Sequence, residues 1–218
     1  MSYELEFFRL LEAPLSMVSL RRIFLLMLRL HYSDPDNFGD YKDLIGNLRY
    51  NDELKFSTLG IELLSTFEPE SYKDGQANIF LGFQSHNFKK VAINNYSGQN
   101  TDGSSNYHVM PTDSVLVLRH VANTGDQALL IGEMTAAFLF GIRPMLMQKI
   151  GLRAMDVLSV SDPKIIDKAP ERSFQVDVSV AINFGYVMTT NIESHRIKKI
   201  AMRMFPEAAT TVDSESPA

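Results

Sequence analysis

One segment, residues 173–187, constrains the fold more than any other part of this 218-residue chain. Its large apolar residues alternate with small or polar ones, and the apolar set is Phe174, Val176, Val178, Val180, Ile182 and Phe184. Successive side chains of a β-strand point to opposite faces, so this period of two predicts a strand with one buried and one wet face. We expect such a strand to lie in the middle of the sheet that holds the fold together.

Further strands are predicted from shorter apolar runs at residues 78–83, 88–93, 114–122, 154–160 and 195–204. The polar residues 84–87 predict a turn between the first two, and residues 161–163 predict another. Residues 97–113 are polar and include Gly98, Gly103 and Pro111, which predicts a loop too long to be a simple connection. Loops of that length are usually functional or disordered.

The first third of the chain favours helices. A short apolar segment ends at Pro14, and a second helix from Leu15 has its apolar residues at helical spacing, namely Leu20, Ile23, Phe24, Met27 and Leu28. Residues 33–39 predict a turn. The stretch 41–67 is ambiguous, although its leucines, including Leu59 and Leu63, fit helical stripes.

The clearest helix begins after Thr124, because Gln127 follows three residues later in the pattern of a capping box. Leu130, Met134 and Phe138 repeat at four-residue spacing along it. Pro144 is expected to break or kink this helix, with a short continuation that ends at Gly151.

Composition limits the classes of function. The net charge of −5 argues against a surface that grips nucleic acid through its phosphates. The most apolar run, residues 23–28, is far shorter than a membrane span, and no secretory signal is evident, so we expect a soluble chain. Two basic groups (Arg21, Arg22 and Arg29; Arg196, Lys198, Lys199 and Arg203) are interpreted as solvated faces or ionic contacts to a neighbouring subunit.

No sequence motif points to catalysis. The chain has no cysteine, and its five histidines (His31, His86, His108, His120 and His195) do not fall at metal-ligand spacing. Nucleotide-binding glycine motifs and the hydrolase nucleophile elbow are missing from the sequence. We therefore expect no enzyme, metal or cofactor. The alternative is a small-molecule enzyme or ligand-binding α+β domain, whose site would use loop residues such as His108, Asp113 and His120.

From about residue 78 onward the chain resembles the neck or tail-terminator proteins of tailed bacteriophages. The resemblance covers IFLGF (79–83), SVLVLRHVA (114–122), LFGIRPML (139–146) and the long stretch 161–200. In the family pattern a proline follows the penultimate strand, and an acidic–arginine pair then opens the long alternating strand. Here Pro163, Glu171, Arg172 and Asp177 take those positions.

The resemblance implies an α+β fold, with a mixed, mostly antiparallel sheet packed against helices. It implies a virion protein of the head–tail junction that forms a homo-oligomeric ring, typically of six copies. The ring would contact the tail tube and the head connector, while DNA passes through its lumen without specific binding. Six copies at −5 each would carry about −30 formal charge, which would repel DNA phosphates. A head-completion or tube protein of related fold is a further alternative.

The domain organisation expected from the sequence has three parts. Residues 1–70 form an N-terminal helical section within the same domain, residues 71–205 form the tail-terminator-like domain, and residues 206–218 form a disordered tail. The N-terminal section is interpreted as an added docking element.

Overall fold

The fold is that of a computed structural model, which describes residues 15–51, 57–63, 76–89, 96–99, 105–166 and 173–191. Within these ranges the helices are α1 (Met17–Ser33), a 3-10 helix (Pro35–Tyr41), α2 (Lys42–Ile45) and α3 (Gly125–Ile150). The strands are β1 (Leu59–Leu63), β2 (Ala77–Phe88), β3 (Tyr96–Gln99), β4 (Ser105–Ala122), β5 (Ala154–Val160), β6 (Lys164–Ile166) and β7 (Ser173–Asn191).

These strands pair in one sheet with the order β1-β2-β4-β7-β5, and β3 and β6 add to β4 and β7. β1 runs parallel to β2, whereas β2 is antiparallel to β4 and β5 is antiparallel to β7. β4 and β7 also run antiparallel, because Arg119 contacts Asp177 while the earlier Asp113 contacts the later Asn183. The expected α+β class, with a mixed and mostly antiparallel sheet against helices, is confirmed.

The alternating segment forms β7, between β4 and β5, as its pattern predicts. Five of the six predicted inward residues, from Val176 to Phe184, are buried, while Phe174 packs partly buried at the edge of the core. The strand extends to Asn191, four residues past the predicted end. The alternation therefore identifies both the strand and its buried face.

The predicted helix after Leu15 is α1, and all five of its predicted inward residues are buried. Ser16 caps it: the Ser16 hydroxyl accepts from the Ser19 amide at 3.1 Å, and the Ser16 amide donates to the Ser19 hydroxyl at 2.8 Å. Such reciprocal bonds satisfy amides that the first turn leaves unpaired. α1 packs against β1 and β2.

α3 starts as predicted, because the Thr124 hydroxyl accepts from the Gln127 amide at 3.2 Å, and it ends at Gly151 with φ of 77°. Of the break or kink expected at Pro144, the break is wrong, since the helix continues to Ile150. Pro144 and Phe140 both lie on the exposed side, where water can satisfy the carbonyl that proline leaves unpaired. By length and composition alone α3 could also cross a membrane, as buried helices of folded proteins often could.

A glycine sets how closely α3 approaches the sheet. A Cβ atom added at Gly132 would lie 3.0 Å from Val176 Cγ1 and 3.6 Å from both Val160 Cγ1 and Val178 Cγ2. A larger residue would therefore push the helix away from β5 and β7. α3 and α1 cover the same face of the sheet, and their apolar residues form one core cluster with it.

Two predicted irregular segments are strands instead. The predicted turn at residues 84–87 belongs to β2, which pairs with β4 as far as Phe88↔Thr112 after a bulge between Phe83 and Ser85. The polar side chains of residues 84–87 are exposed, so their polarity reflects contact with solvent on a paired strand. The expected 97–113 loop is likewise wrong for residues 97–99, which belong to β3, and for residues 105–113, which form the first half of β4. Residues 105–113 contain few strand-forming residues, but their backbone hydrogen bonds to β2 and β3 outweigh this weak preference.

Other predicted elements differ from the structure or lie outside the described residues. Leu59 and Leu63 lie in β1, so a helical reading of residues 59–63 is wrong, and the turn expected at 33–39 is largely the 3-10 helix. β6 follows the predicted turn at residues 161–163 and was not expected. The segment before Pro14, most of the 88–93 strand, the last strand at 195–204 and the tail at 206–218 lie outside the described residues.

The chain divides into two compact units. The first comprises residues 1–91 and 110–186, and it contains the helices, most of the sheet and the core described above. The second comprises residues 92–109 and 187–218, in which β3 pairs with the start of β4 through Tyr96↔His108 and Gln99↔Asn106.

Candidate functional site

A chain of hydrogen bonds crosses the core and involves His120, one of the residues singled out from the sequence. His120 Nδ1 lies 3.3 Å from the Val176 carbonyl oxygen, and His120 Nε2 lies 2.9 Å from Thr135 Oγ1. Thr135 Oγ1 in turn lies 2.8 Å from the Tyr32 hydroxyl, which is 3.2 Å from the Ile131 carbonyl. The chain thereby links α1, α3, β4 and β7.

The donor and acceptor of each hydrogen bond follow from the Val176 carbonyl, which can only accept a hydrogen bond. Because the Val176 carbonyl cannot donate, His120 Nδ1 carries the proton and Nε2 is the acceptor. Thr135 must then donate to His120, so the single hydroxyl proton of Tyr32 is shared between two acceptors, Thr135 Oγ1 and the Ile131 carbonyl oxygen. His120 is thus a neutral imidazole with both nitrogens satisfied.

Burial keeps both titratable members of the chain neutral. Desolvation lowers the pKa of His120 to about 4, against which its bond to the Val176 carbonyl and the nearby Asp177 act more weakly. Desolvation likewise raises the pKa of Tyr32 well above its usual value. Each side chain is fully enclosed, so this arrangement stabilises the fold and offers no opening to a ligand.

Asp177, the family-like acidic position, lies at the centre of a polar cluster on the opposite face of β7. Its Oδ1 is 3.1 Å from Arg119 Nε, and its Oδ2 accepts from Gln175 Nε2 at 2.8 Å. The Asp177 amide donates to Ser161 Oγ at 2.9 Å, and the Ser161 amide donates to the Asp177 carbonyl at 2.9 Å. Asp177 therefore fixes the loop before β6 against the central strands.

Of the other family-like positions, Pro163 falls within the described structure. Pro163 is exposed on that same loop, next to Gly125 at the start of α3. Glu171 and Arg172 lie outside the described residues. Of the four positions, Asp177 is thus the one for which the structure gives a defined set of contacts.

Two of the three residues of the alternative small-molecule site, Asp113 and His120, are not brought together. His120 faces the helices, whereas Asp113 contacts Lys89 and Asn183 on the polar face. The bonds from Lys89 and Asn183 hold the pKa of the Asp113 carboxyl below its usual value. His108 belongs to the second unit. The predicted grouping of His108, Asp113 and His120 is therefore wrong for Asp113 and His120.

Two other histidines have assigned partners. His31 stacks on Phe138 with ring centroids 3.9 Å apart and an interplanar angle of 12°, and burial lowers its pKa to about 4. His86 Nδ1 is 3.1 Å from Ser114 Oγ. Across the described ranges, no group of three or more histidines and carboxylates could hold a metal ion.

An exposed phenylalanine beside an ion pair marks a first candidate interaction surface, which we name the α3–β5 patch. It consists of Phe140, which is 68 % exposed, with Arg143 and Asp156, whereas the 58 % exposed Leu158 lies further along β5. A cleft of about 80 Å³ beside Phe140 is also lined by Leu139, Met155 and Val157. Arg143 Nη1 pairs with Asp156 Oδ1 at 2.8 Å, which ties α3 to β5.

β5 ends the strand order, and its pairing with β7 shifts register between Val157 and Ser159. Leu158 is the extra residue of this irregularity, and such bulges re-aim a side chain at the edge of a sheet. The other edge differs: Arg29 Nη2 donates to the Ile61 carbonyl of β1 at 2.9 Å, and the Leu59 amide donates to the Arg49 carbonyl at 3.1 Å.

A groove of about 480 Å³ forms a second candidate surface, which we name the α1–α3 groove. One side is formed by His31, Asn37 and Phe38, which lie in or just after α1. The floor is an α3 stripe at three-and-four spacing, composed of Leu130, Met134, Ala137, Phe138, Gly141 and Ile142, with Glu133 beside it. The groove is thus mainly apolar, and Glu133 is the one acidic residue in its lining.

Sequence reasoning found neither surface. A helix that is apolar on all sides must bury more than one face, and residues 138–147 of α3 have this composition. That signal was available in the sequence, but it could not say which side the sheet covers. The exposure of Leu158 was not predictable, since it depends on a register shift.

No protein-family model matches the chain, and none of the curated proteins is similar enough in sequence to count as a relative.

Proposed function

We propose that the chain is a structural virion protein, a ring subunit of tail-terminator type that caps the tail tube of a tailed phage and joins it to the head connector. The proposal rests on the sequence resemblance and is supported by the α+β fold that the resemblance implies. Its action is steric and electrostatic, with no bond made or broken.

One observation carries the proposal furthest, the exposure of Phe140 beside the Arg143–Asp156 ion pair in the α3–β5 patch. An exposed aromatic side chain next to a charged pair is typical of protein interaction surfaces. Arginine and aromatic residues are also enriched at the energetic centres of interfaces. We assign the patch to the contact with the tail tube or the connector.

Charge favours the passage of DNA. Each copy has a net charge of −5, so a closed ring of several copies repels phosphates and does not bind DNA as it passes. The partners are therefore proteins: other copies of the chain, the tail tube and the connector. The proposed location is the neck of the virion, after assembly in the host cytoplasm.

The test is an in vitro capping assay with the tail tube protein from the same genome. We expect the chain to bind one end of the growing tubes, to stop their elongation and to be visible there as a ring by electron microscopy. Phe140→Asp should abolish capping, because it places a charge in the contact. The matched control Phe88→Asp, at a 51 % exposed phenylalanine on β2, should leave capping intact.

Tubes that grow to the same lengths with and without the chain contradict the proposal. Incorporation along the whole tube would instead indicate a tube protein, and binding to capsids alone would indicate a head-completion protein.

A further inference from the structure

We infer that the α1–α3 groove of one copy receives the exposed side of α1 from a second copy, so that neighbouring subunits meet head to tail. This inference rests on the proposed function, because it names the contact between neighbours in the ring. The two surfaces belong to the same unit of the chain.

The first surface, which we name the α1 ridge, is the side of α1 at the margin of the core. It comprises Val18 and Arg22, which point outward, and Leu25, which also packs against the core; their spacings of four and three place them on one side of the helix. Val18 is 55 % exposed, Arg22 is exposed and Leu25 is partly buried. The ridge therefore combines apolar side chains with a cation in its middle.

The α1–α3 groove has the complementary character. Its α3 floor contains small residues, Ala137 and Gly141, which leave room for side chains from another helix. Glu133 is exposed beside this floor, and in the described residues it forms no ion pair. An apolar groove with one carboxylate fits an apolar ridge with one guanidinium.

The lengths of the two surfaces also agree. Residues 18–25 of a helix span about 10 Å, and residues 133–142 span about 13 Å, at about 1.5 Å of rise per residue. His31 adds no competing positive charge, since its stacked ring is held in the neutral form by burial. The contact would bring Arg22 of one copy beside Glu133 of the next.

A contact between two different surfaces of the same chain is heterologous. Each copy then offers a free ridge at one end and a free groove at the other, so the contact repeats. If the rotation per step closes, the product is a ring. An isologous contact, by contrast, would end at a dimer.

The absence of cysteine from the sequence allows a direct cross-linking test. The double variant Arg22→Cys with Glu133→Cys should form a ladder of disulfide-linked oligomers under mild oxidation. Each single variant should stay monomeric on a non-reducing gel, and a mixture of the two singles should stop at dimers. The control pair is Arg22→Cys with Asp162→Cys, which uses an exposed acidic position in the loop before β6 and should give no ladder.

A second measurement tests the charge pairing by sedimentation of the full chain. Glu133→Arg should raise the dissociation constant of self-association about tenfold or more, because it places like charges together. Adding Arg22→Glu to the same chain should restore association. The matched reversal Asp162→Arg should have no effect.

Cross-linking is carried out on the free chain and on chain bound to tail tubes. The inference is overturned if the double variant gives no ladder in either state, or if a single variant dimerises as readily as the mixture does. Failure of the ladder in a chain that still caps tubes removes the inference and leaves the proposed function standing. A ladder in a chain that fails to cap tubes removes the proposed function and leaves the contact between neighbouring copies standing.

Discussion

Replacing Thr135 by valine isolates the buried hydrogen-bond chain, because valine keeps the shape of threonine and removes the hydroxyl. Thr135 Oγ1 lies 2.9 Å from His120 Nε2 and 2.8 Å from the Tyr32 hydroxyl. Without it, His120 Nε2 becomes a buried acceptor with no donor, whereas the Tyr32 hydroxyl still has the Ile131 carbonyl at 3.2 Å.

The expected loss of stability follows from that difference. An unpaired buried acceptor costs about 1–3 kcal/mol, while the loss of one of two partners at Tyr32 costs less. We therefore expect Thr135→Val to lower the free energy of unfolding by about 2 kcal/mol. Thr135→Ser keeps the hydroxyl and removes one methyl group, so its loss should be about 1 kcal/mol.

Urea unfolding at neutral pH measures both variants, and the slope against urea should not change. A Thr135→Val protein as stable as the original would refute the proposed direction of bonding. So would a Thr135→Ser protein that loses as much stability as Thr135→Val, because the hydroxyl would then contribute nothing.

Two further predictions concern the same core. The pKa of His120 is about 4 in the folded chain and 6.5 for the free side chain, so protonation between these values favours the unfolded chain. The contribution of His120 to the free energy of unfolding should be complete above about pH 7 and should fall by about 3 kcal/mol as the pH drops from 6.5 to 4. His31 should add a smaller loss in the same direction. Urea unfolding across this range measures the loss, and constant stability from pH 7 to 5 would contradict it. Val178→Asp should prevent folding, because it buries an unpaired charge at a fully enclosed position, whereas Ser179→Lys on the polar face should cost about 1 kcal/mol or less. Circular dichroism and thermal melting separate these two variants, and an unchanged melting temperature for Val178→Asp would mean that the inward face is wrongly assigned.

The parts of the fold that the sequence predicted are those in which periodicity and burial coincide. Strand β7 and helix α1 each bury one regular stripe, so their patterns are visible without any tertiary information. The ends of α3 were also predictable, because Thr124 and Gly151 act through local backbone geometry. For these elements, local sequence patterns were sufficient to predict the structure.

The missed parts depend on contacts between distant segments. Residues 84–87 form a strand because they pair with residues 113–115 of β4, and residues 105–113 form a strand because they pair with β2 and β3. Neither segment has the composition of a strand alone. Pro144 was expected to break or kink α3, and the helix is not broken there, because the effect of a proline depends on whether the freed carbonyl meets water. Such outcomes follow from tertiary position, which periodicity does not report.

The candidate surfaces were the hardest to foresee. His120 was identified as a possible site residue, yet its role is set by Thr135 and Val176, which are distant from it in sequence. The α1–α3 groove likewise exists only because the end of α1 meets one side of α3. Titratable residues in a sequence are therefore a weaker guide to this chain than the apolar sides of its helices.

Imaging of intact particles tests the central proposal most directly. Cryo-electron microscopy of the phage that carries this gene should place the chain in a closed ring between the last layer of the tail tube and the head connector, with Phe140 against a neighbouring protein. A chain located in the capsid shell, repeated along the tube, or missing from the particle would contradict it.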